Sequence, residues 1–246
     1  YPDYTCAPRS HGSLSLKKNM PPGKKAFNLN CKSSGNHWMP YSIISKEGIR
    51  LYCDMWSYGA KFMQSMGVKP FIYELFNEPE YNDTGTSARK YFVERLQKNY
   101  KSIGALNKAW NSSYSDFNAI GNFGKITENP ALFVEWAEFM EDCFANVCKV
   151  GVEAIKKVDP RPEALFCFQP LSSNGKHTNI YKANKYFNAI CTGTGGGNLL
   201  MAKEYMSLAK GKPILDGEAY MGKTLQNVRN KFWLEYARGY DATFVF

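Results

Sequence analysis

Apolar residues follow two different spacings along the chain from residue 47 onward. Long segments with an apolar residue every three or four positions alternate with short segments that are apolar throughout. The first pattern is typical of helices with one buried face, and the second is typical of buried strands. Together they predict helices over residues 47–66, 87–103, 130–159, 199–209 and 225–238, and strands over residues 70–76, 164–169, 187–191, 213–218 and 242–246.

Two segments depart from this alternation. Residues 1–46 are rich in Pro, Gly, Ser, Asn and Lys and show little periodicity, so we expect long loops with at most one short strand around residues 26–29. Residues 106–123 are expected to form an insertion between two helices. Gly104 suits the end of the first of these helices, and Asn129-Pro130 suits the start of the second.

The alternation of strand and helix predicts parallel strands joined by crossover helices. A closed barrel and an open doubly wound sheet both have this arrangement. Five strands are predicted, whereas a closed barrel has eight, and residues 1–46 do not offer three further strand and helix units. We therefore expect residues 1–246 to form one domain that is incomplete at both ends.

Composition and charge place the chain among globular proteins, with 44% hydrophobic and 22% charged residues. The formal charge is +9, but the basic residues are dispersed, and only Lys17-Lys18 and Lys24-Lys25 form a local cluster. We therefore expect a solvated basic surface and no nucleic-acid partner. No apolar run approaches the roughly 20 residues that span a bilayer, so no membrane partner is expected. The compartment remains open, with a periplasmic or secreted location preferred over the cytoplasm.

The cysteines and histidines give no sign of a metal site or a cofactor. The seven cysteines include no CxxC pair, and the three histidines lack metal-ligand spacing. Cys143, Cys148 and Cys167 lie within apolar segments, which favours buried thiols, while a disulfide between Cys6 and Cys31 remains open. We expect the protein to work without a cofactor.

The candidate chemistry lies at the ends of two apolar strands. One strand ends in Asn77-Glu78-Pro79-Glu80, and another ends in Asp216, Glu218 and then Tyr220. A carboxylate at the end of a buried strand is costly unless it is paired or hydrogen-bonded, so two of them opening onto one cleft suggest a catalytic pair. Glycoside hydrolysis uses such a pair, in which one carboxylic acid protonates the departing oxygen and the other carboxylate attacks the sugar or activates water.

The stretch Tyr73–Glu80 resembles the Asn-Glu-Pro motif on the fourth strand of clan A glycoside hydrolases. The resemblance covers roughly residues 47–246 and implies a (β/α)₈ barrel, represented from about the third strand-helix unit to the eighth strand. It also implies a retaining mechanism with Glu78 as acid/base, Asn77 on the 2-hydroxyl of the sugar, and Glu218 as nucleophile on the seventh strand. Two predicted strands separate the carboxylates, as the strand order of the clan requires.

Other features fit this family less completely. Residues 106–110 are similar to a segment of β-galactosidase-like members of the clan, which makes Trp110 a candidate for a sugar subsite. The predicted sixth strand, with Ala189-Ile190-Cys191-Thr192, lacks the tyrosine that often contacts the nucleophile in the clan. The arginine of an early strand and the aromatic platform after the eighth strand would lie outside this chain.

Several residues also allow simpler interpretations. Asp216 rivals Glu218 as the second carboxylate, and Glu80 is expected at the rim, because Tyr81 and the polar residues after it are typical of an exposed loop. Trp136 and Trp233 lie on helical stripes, which favours the core. The segment Gly193–Asn198 misses both nucleotide-binding fingerprints and is expected to be a flexible rim loop. The directions of His37 and Trp38 remain open.

The sequence therefore predicts a retaining β-glycosidase that acts on an oligo- or polysaccharide. Glu78 and Glu218 are the catalytic candidates, and Asn77, Trp110 and Tyr220 are the substrate-binding candidates. Two alternatives stay open: a catalytically silent carbohydrate-binding barrel, and a doubly wound nucleotide-binding protein that uses the glycine-rich segment.

Overall fold

The computed structural model describes residues 4–5, 39, 41–121, 129–170, 177–192, 199–222 and 224–245. Its strands are β1 (Tyr4–Thr5), β2 (Ile72–Asn77), β3 (Leu165–Gln169), β4 (Ile190–Thr192), β5 (Ile214–Ala219) and β6 (Ala242–Val245). Its α-helices are α1 (Lys46–Ser65), α2 (Thr86–Tyr100), α3 (Ile103–Trp110), α4 (Pro130–Lys156), α5 (Ile180–Ala183), α6 (Leu199–Ala209) and α7 (Leu225–Arg238). Two 3₁₀ turns span Phe117–Gly121 and Asn184–Tyr186.

The described strands lie side by side in chain order, and all the pairs between them are parallel. One sheet has the order β1-β2-β3 and the other β4-β5-β6. They meet between β3 and β4, where the Ala189 N–H donates to the Phe166 carbonyl at 3.2 Å. There the side chain of Asn188 also accepts from the Phe166 N–H at 2.7 Å and donates to the Ala164 carbonyl at 2.9 Å. Consecutive parallel strands with helical crossovers are the arrangement of a (β/α)₈ barrel wall.

Side chains alternate between the two faces of this wall, as strand geometry requires. Inward-facing residues pack together in a small cluster that contains Ile72, Cys167, Ala189, Cys191 and Leu215. Residues between them on the same strands face the helices and join the main core, which contains Tyr73, Leu75, Phe166, Phe168 and Ile214. Because the two clusters are formed by alternate residues, each strand has a defined inner face on which a site can be built.

The outer layer is formed by helices whose caps follow from the sequence. Ser45, Asn129 and Thr224 accept backbone hydrogen bonds at the starts of α1, α4 and α7, and Pro130 opens α4. Gly239 ends α7 with a positive φ of 86°, which glycine adopts without strain. These caps account for the agreement between the predicted and observed starts of α1, α4 and α7 and for the agreement at the end of α7.

The region after β2 differs from its prediction. The single helix predicted over residues 87–103 is two helices, because α2 ends at Tyr100 and Lys101 adopts a left-handed φ of 61°. Ser102 then caps α3 by accepting from the Ala105 N–H. The insertion predicted over residues 106–123 is therefore partly helical, since α3 continues to Trp110 and a 3₁₀ turn follows.

Other predictions concern a strand that is shorter than expected or residues outside the described ranges. Strand β4 is shorter than predicted, because Phe187 and Asn188 precede it in irregular backbone and the Asn188 side chain takes the hydrogen bond of the Phe166 N–H. Strand β1 was not predicted, and the strand suggested around residues 26–29 lies outside the described ranges. So do Cys6 and Cys31, while the five cysteines that are described form no disulfide with one another.

Two further properties concern only the part of the chain that the structure describes. None of its helices is both long and apolar enough to cross a bilayer. Its His, Cys, Asp and Glu side chains form no group of three that could hold a metal ion.

Candidate active site

Glu78 lies immediately after β2, at the carboxyl end of the wall. Its backbone has a φ of 47°, which is uncommon for a residue with a side chain and is often found at functional sites. The Glu78 N–H donates to the carbonyl oxygen of Gln169 on the neighbouring strand at 2.7 Å. A break in the β2–β3 register between Glu74 and Asn77 precedes it. Glu78 is therefore held in a special backbone conformation by a bond to β3.

The loop after Glu78 is packed into the molecule, and the prediction of an exposed loop was wrong. Tyr81 and Asp83 are buried, and the Tyr81 hydroxyl donates to Asp83 Oδ2 at 2.8 Å. Ser42 Oγ donates to the same oxygen at 3.1 Å, and Asn82 Oδ1 accepts the indole N–H of Trp136 at 3.1 Å. Because the chain before α1 covers this loop, its polar residues are hydrogen-bonded in the interior. The half-buried Glu80 lies within it.

Glu218 lies in β5 and receives a hydrogen bond on each oxygen of its carboxylate. The side-chain amide of Gln169 donates to Oε2 at 2.8 Å, and the hydroxyl of Tyr220 donates to Oε1 at 2.9 Å. The backbone N–H of Glu218 donates to Asp216 Oδ1 at 3.2 Å. Hydrogen bonds to an ionised carboxylate are short and strong, so this set of donors suits a Glu218 that carries a negative charge.

Asp216, the rival for the second carboxylate, faces the other side of β5. It is 0% exposed, pairs with Lys231 of α7 at 3.2 Å, and adjoins Glu235 of the same helix. Lys231 also pairs with Glu235, whose carboxylate accepts from Thr243. Burial and the neighbouring Glu235 raise the pKa of Asp216 to about 6. Asp216 is therefore part of a buried charged cluster beneath α7, away from the inner face.

A bulge explains why Asp216 and Glu218 point in opposite directions. Residues two apart on a regular strand share a face, so the sequence alone would place both carboxylates together. The β5–β6 register shifts between Asp216 and Ala219, and such an irregularity redirects the side chains that follow it. This shift turns Glu218 toward Gln169 on the inner face of β3.

Gln169 and Tyr220 connect the two catalytic candidates. Gln169 accepts from the Glu78 backbone and donates to the Glu218 carboxylate. The pKa of Tyr220 is raised, first by its hydrogen bond to Glu218 and also by the charges of Glu218 and Glu78. Glu78 and Glu218 lie at the same end of the wall, with β3 and β4 between their strands and Gln169 in contact with both residues.

The predicted substrate-binding residues lie in different places. Asn77 ends β2 opposite Gln169, and its side-chain oxygen is buried without a hydrogen-bond partner among the described residues. Tyr220 is 51% exposed beside Glu218. Trp110 is 8% exposed and lies in the helical layer, where it donates to the Tyr100 hydroxyl at 3.0 Å and packs edge-on against Tyr114. The structure does not join Trp110 to the carboxylates.

The two helical tryptophans that were expected in the core lie in different environments. Trp136 is in the core, as predicted. The prediction for Trp233 was wrong, since it is 70% exposed. Lys231 and Glu235, one helical turn apart, face β5, so Trp233 between them faces away. Segment 193–198, His37 and Trp38 lie outside the described residues.

Gln169 is the functional candidate that the sequence reasoning missed. It ends an apolar strand, as Asn77 and Glu218 do, so the rule that selected those residues would also have selected Gln169. Its amide carries no charge, and nothing in the sequence shows that it contacts Glu218 49 residues later. Its position at the end of an apolar strand could have indicated a functional role, but its residue type did not.

Several solved structures share this fold. An exo-carrageenase GH42 from Bacteroides ovatus matches with a TM-score of 0.71 and 16% identity, over 95% of this chain and 38% of that one. A β-galactosidase from Bacillus circulans sp. alkalophilus matches with a TM-score of 0.70 and 14% identity, over 84% of this chain and 34% of that one. An exo-β-agarase matches with a TM-score of 0.60 and 17% identity, over 76% of this chain and 28% of that one. These structural matches show that the chain shares their fold, which confirms the prediction of a partial (β/α)₈ barrel.

A family model establishes the narrower group. The model of glycoside hydrolase family 42, described as β-galactosidase, matches residues 66–231, about two thirds of the chain. The chain belongs to this family, within the clan that its Asn-Glu-Pro motif indicated. It spans 28% to 38% of the length of the three structures named above. No curated protein sequence matches it.

Proposed function

We propose that the protein is a retaining glycoside hydrolase that cleaves β-glycosidic bonds, with a β-galactoside as the substrate. Membership of the β-galactosidase family supports the substrate class. The observation that carries the proposal is the bridge between the two acidic residues, in which Gln169 contacts the Glu78 backbone and the Glu218 carboxylate together. Such a pair at the carboxyl end of a barrel wall suits acid and nucleophile roles.

In the first step Glu218 is the nucleophile and Glu78 is the acid. The Glu218 carboxylate attacks the anomeric carbon while Glu78 gives its proton to the departing glycosidic oxygen. The bond between that oxygen and the sugar breaks, and an ester forms between the sugar and Glu218. Asn77 lies next to Glu78 with a side-chain oxygen that accepts no hydrogen bond from the described residues, which suits a contact to a sugar hydroxyl. Trp110 has no part in this proposal.

In the second step Glu78 acts as a base. It takes a proton from a water molecule, whose oxygen attacks the anomeric carbon and releases Glu218 as a carboxylate. Two inversions at one carbon give net retention of the β configuration. The buried amide of Gln169 suits both steps, since it is a neutral hydrogen-bond donor that can contact a carboxylate or an ester.

The proposal is tested by comparing Glu78→Gln and Glu218→Gln on a panel of aryl β-galactosides. General acid catalysis contributes about 100-fold to 10,000-fold, so Glu78→Gln should lower kcat/KM by that order for a poor leaving group. The loss should shrink for a dinitrophenyl leaving group, which departs without a proton. Glu218→Gln should lose activity on every member of the panel, because each needs the nucleophile.

Glu80→Gln is the matched control, since Glu80 is two residues from Glu78 in the same loop. We expect it to keep wild-type kinetics. NMR spectra of the wild-type reaction should show the β anomer as the first product. A first product with the α configuration contradicts retention, and sugar binding without hydrolysis would instead indicate a carbohydrate-binding barrel.

A further inference from the structure

Gln169 occupies a confined position between the two acidic residues. Its side chain is 1% exposed, and its strand lies next to β2. The Gln169 carbonyl accepts the Glu78 N–H at 2.7 Å, while its amide nitrogen donates to Glu218 Oε2 at 2.8 Å. One residue of β3 therefore contacts the backbone of the candidate acid/base and the carboxylate of the candidate nucleophile.

The space around the Gln169 amide depends on Gly217. A Cβ atom added at Gly217 would overlap both the amide oxygen of Gln169 and the sulfur of Cys191. The glycine next to Glu218 thus lets the amide lie close to β5, while Cys191 limits it on the side of β4. Because the amide is confined, its orientation toward Glu218 is set by packing as well as by the hydrogen bond.

The two oxygens of Glu218 have different surroundings. Oε2 is bound to the buried amide of Gln169, whereas Oε1 is bound to the hydroxyl of Tyr220, whose side chain is 51% exposed. A sugar entering from solvent can displace the exposed phenol far more easily than the buried amide. The arrangement therefore leaves Oε1 as the more accessible oxygen and Oε2 as the more firmly held one.

We propose that Gln169 is a positioning residue, which holds Glu218 through Oε2 so that Oε1 attacks the anomeric carbon and which fixes the Glu78 backbone opposite it. The inference rests on the proposed function. During attack the bond from Oε1 to the anomeric carbon forms, the glycosidic bond breaks, and the proton of Glu78 goes to the departing oxygen. Oε2 becomes the ester carbonyl and continues to accept from the Gln169 amide.

The test uses Gln169→Leu and Gln169→Glu, with Gln97→Leu and Gln97→Glu on the exposed face of α2 as matched controls. A hydrogen bond to a charged group is worth enough to change a rate by about 10-fold to 100-fold. Gln169→Leu should therefore lower kcat on an aryl β-galactoside by that factor while KM changes little. Both Gln97 variants should keep wild-type values.

Gln169→Glu adds a readout that a purely structural role would not move. It keeps the size of the side chain and introduces a carboxylate next to that of Glu218, and two adjacent carboxylates raise the pKa of one of them. The titratable groups around this position are Glu218, which accepts from the amide, Tyr220, which is bonded to Glu218, and Cys191 on β4. The same inner face also carries Cys167 on β3 and the buried Glu74 opposite it on β2, while Glu78 contacts Gln169 through its backbone. The acid limb of the kcat/KM profile should move to higher pH in Gln169→Glu and stay in place in Gln97→Glu.

Gly217→Ala checks the same contact from the other strand. The added methyl group would push the Gln169 amide away from Glu218, so we expect a loss of kcat in the same direction as for Gln169→Leu. Titration of active sites with a slow substrate corrects each rate for any unfolded protein. Rates within threefold of wild type in Gln169→Leu, or an unmoved acid limb in Gln169→Glu, would overturn the inference.

The results for the Gln169 variants can be distinguished from a failure of the proposed function. If the wild-type protein hydrolyses aryl β-galactosides and loses activity in Glu218→Gln, the proposed function stands whatever the Gln169 variants do. If Glu218→Gln retains wild-type activity, both ideas fail.

Discussion

At the scale of single residues, the direction of a side chain decides its role more than its position in the sequence does. Asp216 and Glu218 are two residues apart, yet one pairs with Lys231 beneath α7 and the other contacts Gln169 on the inner face. The motif at Asn77-Glu78 was recognisable in the sequence because its residue types are specific. The resemblance to clan A favoured Glu218 over its rival Asp216, but the strand pattern alone did not separate them, because their directions depend on a register shift in β5.

Asp216 should give the stability of the protein an unusual pH dependence. Its pKa is raised to about 6 in the folded protein, whereas an Asp in an unfolded chain has a pKa of about 3.9. The folded state therefore holds this proton more tightly, and the contribution of Asp216 to stability falls as pH rises from about 4 to about 6. Asp216→Asn removes this titration, keeps an oxygen for the Glu218 N–H, and leaves Lys231 its pair with Glu235.

We expect the stability of Asp216→Asn, relative to wild type, to rise by about 1 to 3 kcal/mol between pH 4 and pH 7. The measurement is the free energy of unfolding in urea at both pH values. A difference between variant and wild type that is the same at both pH values would show that Asp216 does not titrate in this range.

At the scale of elements, sequence periodicity predicted most helices and strands, and the errors have local causes. The break between α2 and α3 depends on the positive φ of Lys101, and a lysine in the sequence does not predict this backbone conformation. Trp233 was expected in the core because it lies on an apolar helical stripe, but Lys231 and Glu235 form the buried side of α7 instead. Burial of Tyr81 and Asp83 depends on contacts with residues 42–43, which are distant in sequence.

The packing of α4 against the wall can be tested at Gly151. A Cβ atom there would overlap the indole ring of Trp56 on α1 and approach Leu75 of β2 to 2.8 Å. Overpacking a filled core usually costs about 1 to 3 kcal/mol, so Gly151→Ala should lower the free energy of unfolding by that amount.

Gly104→Ala is the matched control for the same substitution. Gly104 lies on an exposed face of α3, and a Cβ atom there would meet nothing within 4 Å. Alanine in a helix is favoured over glycine by about 0.5 to 1 kcal/mol, so this variant should be slightly more stable than wild type. Equal effects of the two substitutions in thermal or urea unfolding would show that α4 does not pack closely at Gly151.

At the scale of the whole molecule, the alternation of elements left a closed barrel and an open doubly wound sheet as alternatives, and the resemblance to clan A glycoside hydrolases implied the barrel. The structure places its described strands in chain order, and the family match identifies a glycoside hydrolase family 42 chain. The sequence could not predict long-range contacts, because these contacts join residues that are far apart in the chain, such as Gln169 and Glu218. The proposed catalytic roles rest on the contacts of Gln169 with both acidic residues, and kinetics on the variants test them.

The most direct measurement is the anomeric configuration of the glycosyl azide formed when azide rescues each acidic variant on a dinitrophenyl β-galactoside. In Glu218→Gly, azide would replace the nucleophile and give the α-azide by a single inversion. In Glu78→Gly, azide would replace the water that attacks the glycosyl ester, so two inversions give the β-azide. Opposite anomers from the two variants are the predicted result. The same anomer from both, or no rescue of Glu218→Gly, would contradict the assignment of the pair.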